Sequence, residues 1–210
     1  EYLNHFQFTG LDISLITENI ILTTGIGSNY FFEIAKIRAI RKLWSNLVAA
    51  YKPNKDEAMR IHLHAETLTA NLFHQNPYNN LLRQTTEAMS AAIGGCDSIE
   101  VKPYVGESGN EEENELFERM SKNIQLVLKE ESMMNEVIDP AGGSYYIEAI
   151  TEELCKKSWQ KFQEMEAKGG YLDSYEYFMS SIKNSREKNL EKIKSGEEIR
   201  VGVNKYQTEK

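Results

Sequence analysis

Cysteine is scarce. Cys96 and Cys155 are the only two, far apart, and neither has another Cys or a His at ligand spacing. That excludes a disulfide framework and a cysteine-based zinc site, and reads as two reduced, partly buried thiols in a cytoplasmic protein. Positive charge is also short. Lys and Arg total 24 against 32 Asp and Glu, a net charge of −8. This balance opposes binding to nucleic acid or anionic lipid, and no basic stripe overrides it. No apolar run reaches the roughly 20 residues of a membrane span. The opening EYLNHFQFTG lacks the positive-then-apolar pattern of a signal peptide. It also begins without Met, as an excised piece of a longer chain does. What is present, 40% hydrophobic and 27% charged residues over 210 positions, suffices to bury a real core.

Strand and helix signals alternate in the first two thirds. The β-branched run Ile20 to Thr24 reads as a buried strand broken by Gly25 and Gly27, with Ser28 or Asn29 able to cap a following helix. Apolar residues at helical spacing run from Phe32 to Val48, and Pro53 lies beyond the end. Met59 to His64 is a second strand, with Ile61 and Leu63 on one face and His62 and His64 on the other. A helix closed by Gly94-Gly95 follows, then a third strand, Ser98 to Pro103. The acidic loop VGESGNEEEN leads into an amphipathic helix ending near Ser132. Such alternation predicts a parallel sheet with crossover helices. After Ser132 the pattern predicts a turn at IDPAGGSYY, two long helices ending at Gly169-Gly170 and Gly196, and a short closing strand, Ile199 to Val203.

RIHLHAETLTANLFHQNPYNN, residues 60 to 80, concentrates the chemistry. His62, His64 and Glu66 share a strand face at the spacing of a metal triad, but only His74 is nearby to extend the shell, so no metal is assigned. His5 and His74 read as exposed loop residues. TTGIGSN is neither a dinucleotide fingerprint nor a phosphate-binding loop, and reads as a strand-to-helix turn.

Four stretches together resemble the methylmalonyl-CoA mutase family: SNYFFEIAKIRAIRKLWSNLVAAY, NPYNNLLRQTTEAMSAAIGG, EESMMNEVIDPAGGSYYIEAIT and IKSGEEIRVGVNKY. The resemblance runs from about residue 19 to residue 206. It implies an α/β fold, the C-terminal part of a (β/α)8 TIM barrel that binds acyl-CoA, contributing about three βα units over residues 1–132. A C-terminal helical extension, residues 133–210, would pack on the barrel. Three strands of eight leave two free edges and an uncovered face, which implies burial by the rest of the barrel or by self-association. The family's cobalt-binding motif, Asp-x-His-x-x-Gly, does not occur here. Adenosylcobalamin is therefore implied for the complete enzyme, and none is expected on this chain.

The resemblance also gives the histidine segment a meaning. Catalytically competent members carry Arg-x-His-x-Gln-Thr-Ser-Gly-Trp where this chain has His62 through Ala70, so His64 is retained while His62, Glu66 and Ala70 replace the Arg, Gln and Trp. Arg-x-Ser-x-Phe falls on Asn19, Ile21 and Thr23, a Lys on Glu57, and a His-Thr-Asn run on Glu100, Val101 and Lys102. The channel positions implied are His62, His64, Glu66 and Asp97, with His64 the candidate catalytic residue. Trading cations for carboxylates disfavours an anionic thioester. The pattern resembles the small (β) subunit, a non-catalytic scaffold that pairs with a catalytic large subunit. Alternatives are a catalytic fragment with His64 on the thioester carbonyl, a related mutase such as an isobutyryl-CoA type, and a metal domain built on His62, His64 and Glu66.

Overall fold

A computed structural model describes residues 2–105 and 111–207. Residues 106–110 of the acidic loop lie outside the described residues. Three strands, β1 (Ile21–Ile26), β2 (His62–Thr67) and β3 (Ser98–Glu100), form one parallel sheet in the order β1-β2-β3. Each strand is followed by a helix: α3 (Tyr30–Ala49) after β1, α4 (Asn79–Gly94) after β2 and α5 (Glu111–Leu126) after β3. This is the mixed α/β alternation that the sequence predicts. Two short helices, α1 (Tyr2–Phe8) and α2 (Ile13–Glu18), precede the sheet.

The sheet is two-faced because its side chains alternate. Leu22, Ile26, Leu63, Ala65 and Ile99 point toward α3 and α4, where Ile37 and Ala91 complete an apolar layer. Leu63 and Ala65 are fully buried there. The opposite face is open. It carries Ile21 and Thr23 on β1, His62, His64 and Glu66 on β2, and Ser98 and Glu100 on β3. Ile21 is 66% exposed, an unusual position for a β-branched strand residue.

Strand limits shift from the sequence expectation. β1 runs on through Gly25 to Ile26, so Gly25 does not end it, and the chain leaves the strand at Gly27. β2 starts three residues later than Met59, because Asp56–Met59 forms a 3-10 turn. β3 ends at Glu100. The helix caps follow the sequence: Asn29 Oδ1 accepts from the Phe32 amide, and Gly95 closes α4 in the left-handed conformation at φ 83°.

The remaining α-helices among the described residues are α6 (Tyr145–Glu166), α7 (Gly170–Asp173) and α8 (Tyr175–Ser195). α6 lies along α3, where Ile34, Ala35, Ala141 and Ile147 form a shared core. No residue of α8 is buried. No helix among the described residues is long and apolar enough to cross a membrane.

Two expectations need correction. His5 lies within α1, although it is exposed as expected. Ile199 to Val203 is not a strand: among the described residues Val201 forms an isolated bridge with Lys205, in a tight turn. Its backbone is committed elsewhere, since the Val201 carbonyl accepts from Arg83 Nη2 at 2.6 Å and the Arg200 carbonyl accepts from the Val203 and Asn204 amides.

Candidate functional site

The open face concentrates polar groups at the C-terminal ends of β2 and β3. Parallel register sets the arrangement. His64 lies opposite Ser98, and Glu66 lies opposite Glu100. Neighbouring strands are about 4.8 Å apart, so paired residues on one face must touch. Two layers result. In the lower one, His64 Nδ1 and Ser98 Oγ are 2.8 Å apart, and His62 Nε2 reaches the same hydroxyl at 3.2 Å. In the upper one, Glu66 and Glu100 stand side by side. His64 Nε2 points up toward them, 3.6 Å from Glu66 Oε1 and 3.9 Å from Glu100 Oε2.

Lys102 closes this group. Its Nζ donates to Glu100 Oε2 at 2.6 Å and lies 3.4 Å from Glu66 Oε2. Its backbone is fixed on both sides: the amide donates to Thr67 Oγ1 at 2.9 Å, and the carbonyl accepts from the buried Gln84 side chain. The hydrogen bond to Glu100, with the nearby negative charge of Glu66, holds the Lys102 ammonium above the ordinary lysine range. Sequence reasoning named Lys102 as a departure from the family's His-Thr-Asn run but left its positive charge out of the balance of cations lost and carboxylates gained. The signal was available in the pattern Glu100-x-Lys102, since two residues apart in extended chain put both side chains on the same side.

The structure thus brings His62, His64 and Glu66 together and adds Ser98, Glu100 and Lys102. It places Asp97 elsewhere, at the N-terminal edge of β3. There Asp97 Oδ2 accepts from the Leu63 amide at 2.7 Å and from Arg41 Nη2 at 2.6 Å. Arg41 also donates to the carbonyls of Gly95 and Ile61. Asp97 therefore fastens β3 to β2 and α3. Asn19 caps the end of α2 and Glu57 sits in the 3-10 turn before β2, both at that same end of the sheet. His74 is exposed in the loop before α4 and is not in the cluster.

A second polar group is buried between α3 and α4, beneath the closing turn. Glu87 is 1% exposed, and Asn71 Nδ2 donates to its Oε1 at 2.7 Å. Burial pushes the Glu87 carboxyl up to about 7, with the nearby Glu33 adding to the effect. Arg200 reaches in from the closing turn, with Nη1 donating to Ser28 Oγ at 2.8 Å. These groups tie the C-terminal turn to the helix layer and lie on the far side of the sheet from His64.

A family model described as methylmalonyl-CoA mutase matches residues 1–210, and so includes the N-terminal helices that precede the segment from residue 19. The methylmalonyl-CoA mutase small subunit of Porphyromonas gingivalis is 38% identical over 209 residues, covering 98% of this chain and 34% of its own length. The large subunit from the same organism is 31% identical over 212 residues, covering 100% of this chain and 29% of its own length. A methylmalonyl-CoA mutase from Cereibacter sphaeroides is 34% identical over 212 residues, covering 100% of this chain and 30% of its own length. The chain thus spans about a third of the length of these relatives or less. With a whole-length family match and relatives above 30% identity, the chain belongs to the methylmalonyl-CoA mutase family.

Proposed function

We propose that this chain is the closing part of the acyl-CoA-binding (β/α)8 barrel of a mutase small subunit. On this reading it performs no chemistry and scaffolds a catalytic large subunit. The complete enzyme would interconvert methylmalonyl-CoA and succinyl-CoA. The sheet order supports the reading: three parallel strands, each followed by a helix on the same face, leave an open face and free edges where further strands would pair.

One observation carries the non-catalytic part. The polar end of the open face holds two carboxylates, Glu66 and Glu100, and its lysine is already engaged by both. A CoA phosphate there would meet like charge and would have to compete for Lys102. His64, the candidate for the thioester carbonyl, has Nδ1 against Ser98 and Nε2 facing the carboxylates. The residues present do not fit a cobalt-ligating role either, since Asp-x-His-x-x-Gly is absent from the 210 residues.

The test is direct titration of the purified chain with adenosylcobalamin, followed by absorbance, and with CoA, followed by calorimetry. Neither is expected to bind at micromolar concentration. Co-purification with a large subunit that carries the cobalt-binding motif is expected. Micromolar binding of either ligand by this chain alone would favour a catalytic fragment using His64 instead.

A further inference from the structure

The C-terminal end of the open face brings three metal-type donors together, one from the lower layer and two from the upper. His64, Glu66 and Glu100 each offer one ligand atom, and these atoms all lie within 4.8 Å of one another. His64 Nε2 lies 3.6 Å from Glu66 Oε1 and 3.9 Å from Glu100 Oε2. Donors bound to one small cation at about 2.0–2.1 Å in tetrahedral geometry sit roughly 3.3–3.5 Å apart. Small rotations of the two half-exposed glutamates close that difference.

Two features go beyond proximity. The imidazole is already aimed. Ser98 Oγ lies 2.8 Å from Nδ1, which leaves Nε2 facing the carboxylates, the arrangement by which a ligating histidine is oriented through its other nitrogen. A cation also already occupies the site. Lys102 Nζ lies between Glu100 and Glu66 at 2.6 and 3.4 Å. Two carboxylates and one ammonium leave one negative charge uncompensated, whereas a dication balances both carboxylates.

We propose that His64, Glu66 and Glu100 form a three-ligand site for a first-row divalent cation of the Zn2+ type. Lys102 acts as a built-in competitor that swings out when the metal enters, and water takes the remaining position. One imidazole and only two carboxylates suit a transition metal better than Mg2+ or Ca2+, which take mostly oxygen donors in larger number. The ligand set corrects the sequence pattern. His62 drops out because its Nε2 is turned to Ser98 Oγ, whereas His64 keeps Nε2 toward the carboxylates, and Glu100 from the neighbouring strand replaces it. Metal here would clamp β2 to β3 at the open end of the sheet. The site does not depend on whether the chain is catalytic.

The test is calorimetric titration of the chelator-treated full chain with Zn2+ alone, with Co2+ absorption as a second readout. One site per chain is expected. E100Q and H64Q should each weaken it by about tenfold or more, H62N should leave it unchanged, and K102M should tighten it. A misfolded variant cannot produce that gain, so K102M guards against loss of structure in the others. Absence of a saturable site, binding that survives E100Q, loss in H62N equal to that in H64Q, or no tightening in K102M would each overturn the assignment.

Discussion

Arg38 and Asp139 meet in a two-pronged ion pair across the chain, Nε to Oδ1 at 2.9 Å and Nη2 to Oδ2 at 3.0 Å. Arg38 Nη2 also donates to Glu148 Oε1 at 2.6 Å, and that same carboxylate oxygen accepts from the Gly143 amide. One guanidinium on α3 thus holds both the IDPAGGSYY turn and the start of α6. A lysine offers no such planar fork.

Arg38→Met is therefore expected to loosen the turn and the N-terminal end of α6. The acids are partly solvated, so the cost is about 1–2 kcal/mol, below that of a fully buried pair. Urea denaturation checks the magnitude. Amide exchange should rise first around residues 139–148.

Glu87 sets a pH dependence. Its carboxyl sits at about 7 in the folded chain against an ordinary 4.5. Between those values the folded state holds a proton that the unfolded state has released, so stability falls as pH rises through that window. Glu87→Gln keeps an oxygen for Asn71 and removes the ionisation. The variant is expected to show a flatter profile between pH 5 and 8 and to exceed the parent at pH 8 by on the order of 2–3 kcal/mol. Thermal melts at a series of pH values decide it, and an unchanged slope would refute the assignment to Glu87.

Gly95 ends α4 at φ 83°, and a Cβ built there meets nothing within 4 Å. Gly95→Ala isolates backbone strain from crowding. The expected loss is about 1 kcal/mol, read from the urea midpoint.

Cys96 and Cys155 should differ in reactivity. Burial, with Asp97 adjacent, pushes the Cys96 thiol up to about 12, while Cys155 is raised by a more modest burial. Thiolate is the reactive form. A disulfide reagent at pH 8 is expected to label Cys155 first, with Cys96 protected until denaturant is added. Mass spectrometry of partly labelled protein distinguishes the two.

Much of the fold was legible in local pattern. Period-two alternation at His62 to Glu66 put histidines and Leu63 on opposite faces, and the structure keeps that split. Helix α4 ends where Gly94-Gly95 signals. Less visible were α1 and α2. Leu3, Ile13 and Ile16 form a small core with Val48, but over helices of 7 and 6 residues the helical period barely repeats. Asp12 was the available clue, since its side chain caps α2 through the Ser14 amide at 2.8 Å. The Ile199 to Val203 run misled because β-branched residues look strand-like wherever they occur, while Arg83 claims the carbonyl a strand would need.

By itself the sequence determined the side chains' alternation along each strand, the helix ends and the shortage of cations, all of which depend on neighbours a few residues away. Only the tertiary structure decided that Glu100 and Lys102 would join His64 and Glu66, and that Asp97 would serve Arg41 instead. Those partnerships rest on the register of β2 against β3 and on the packing of α3, which bring together residues about 34 to 56 positions apart in the chain.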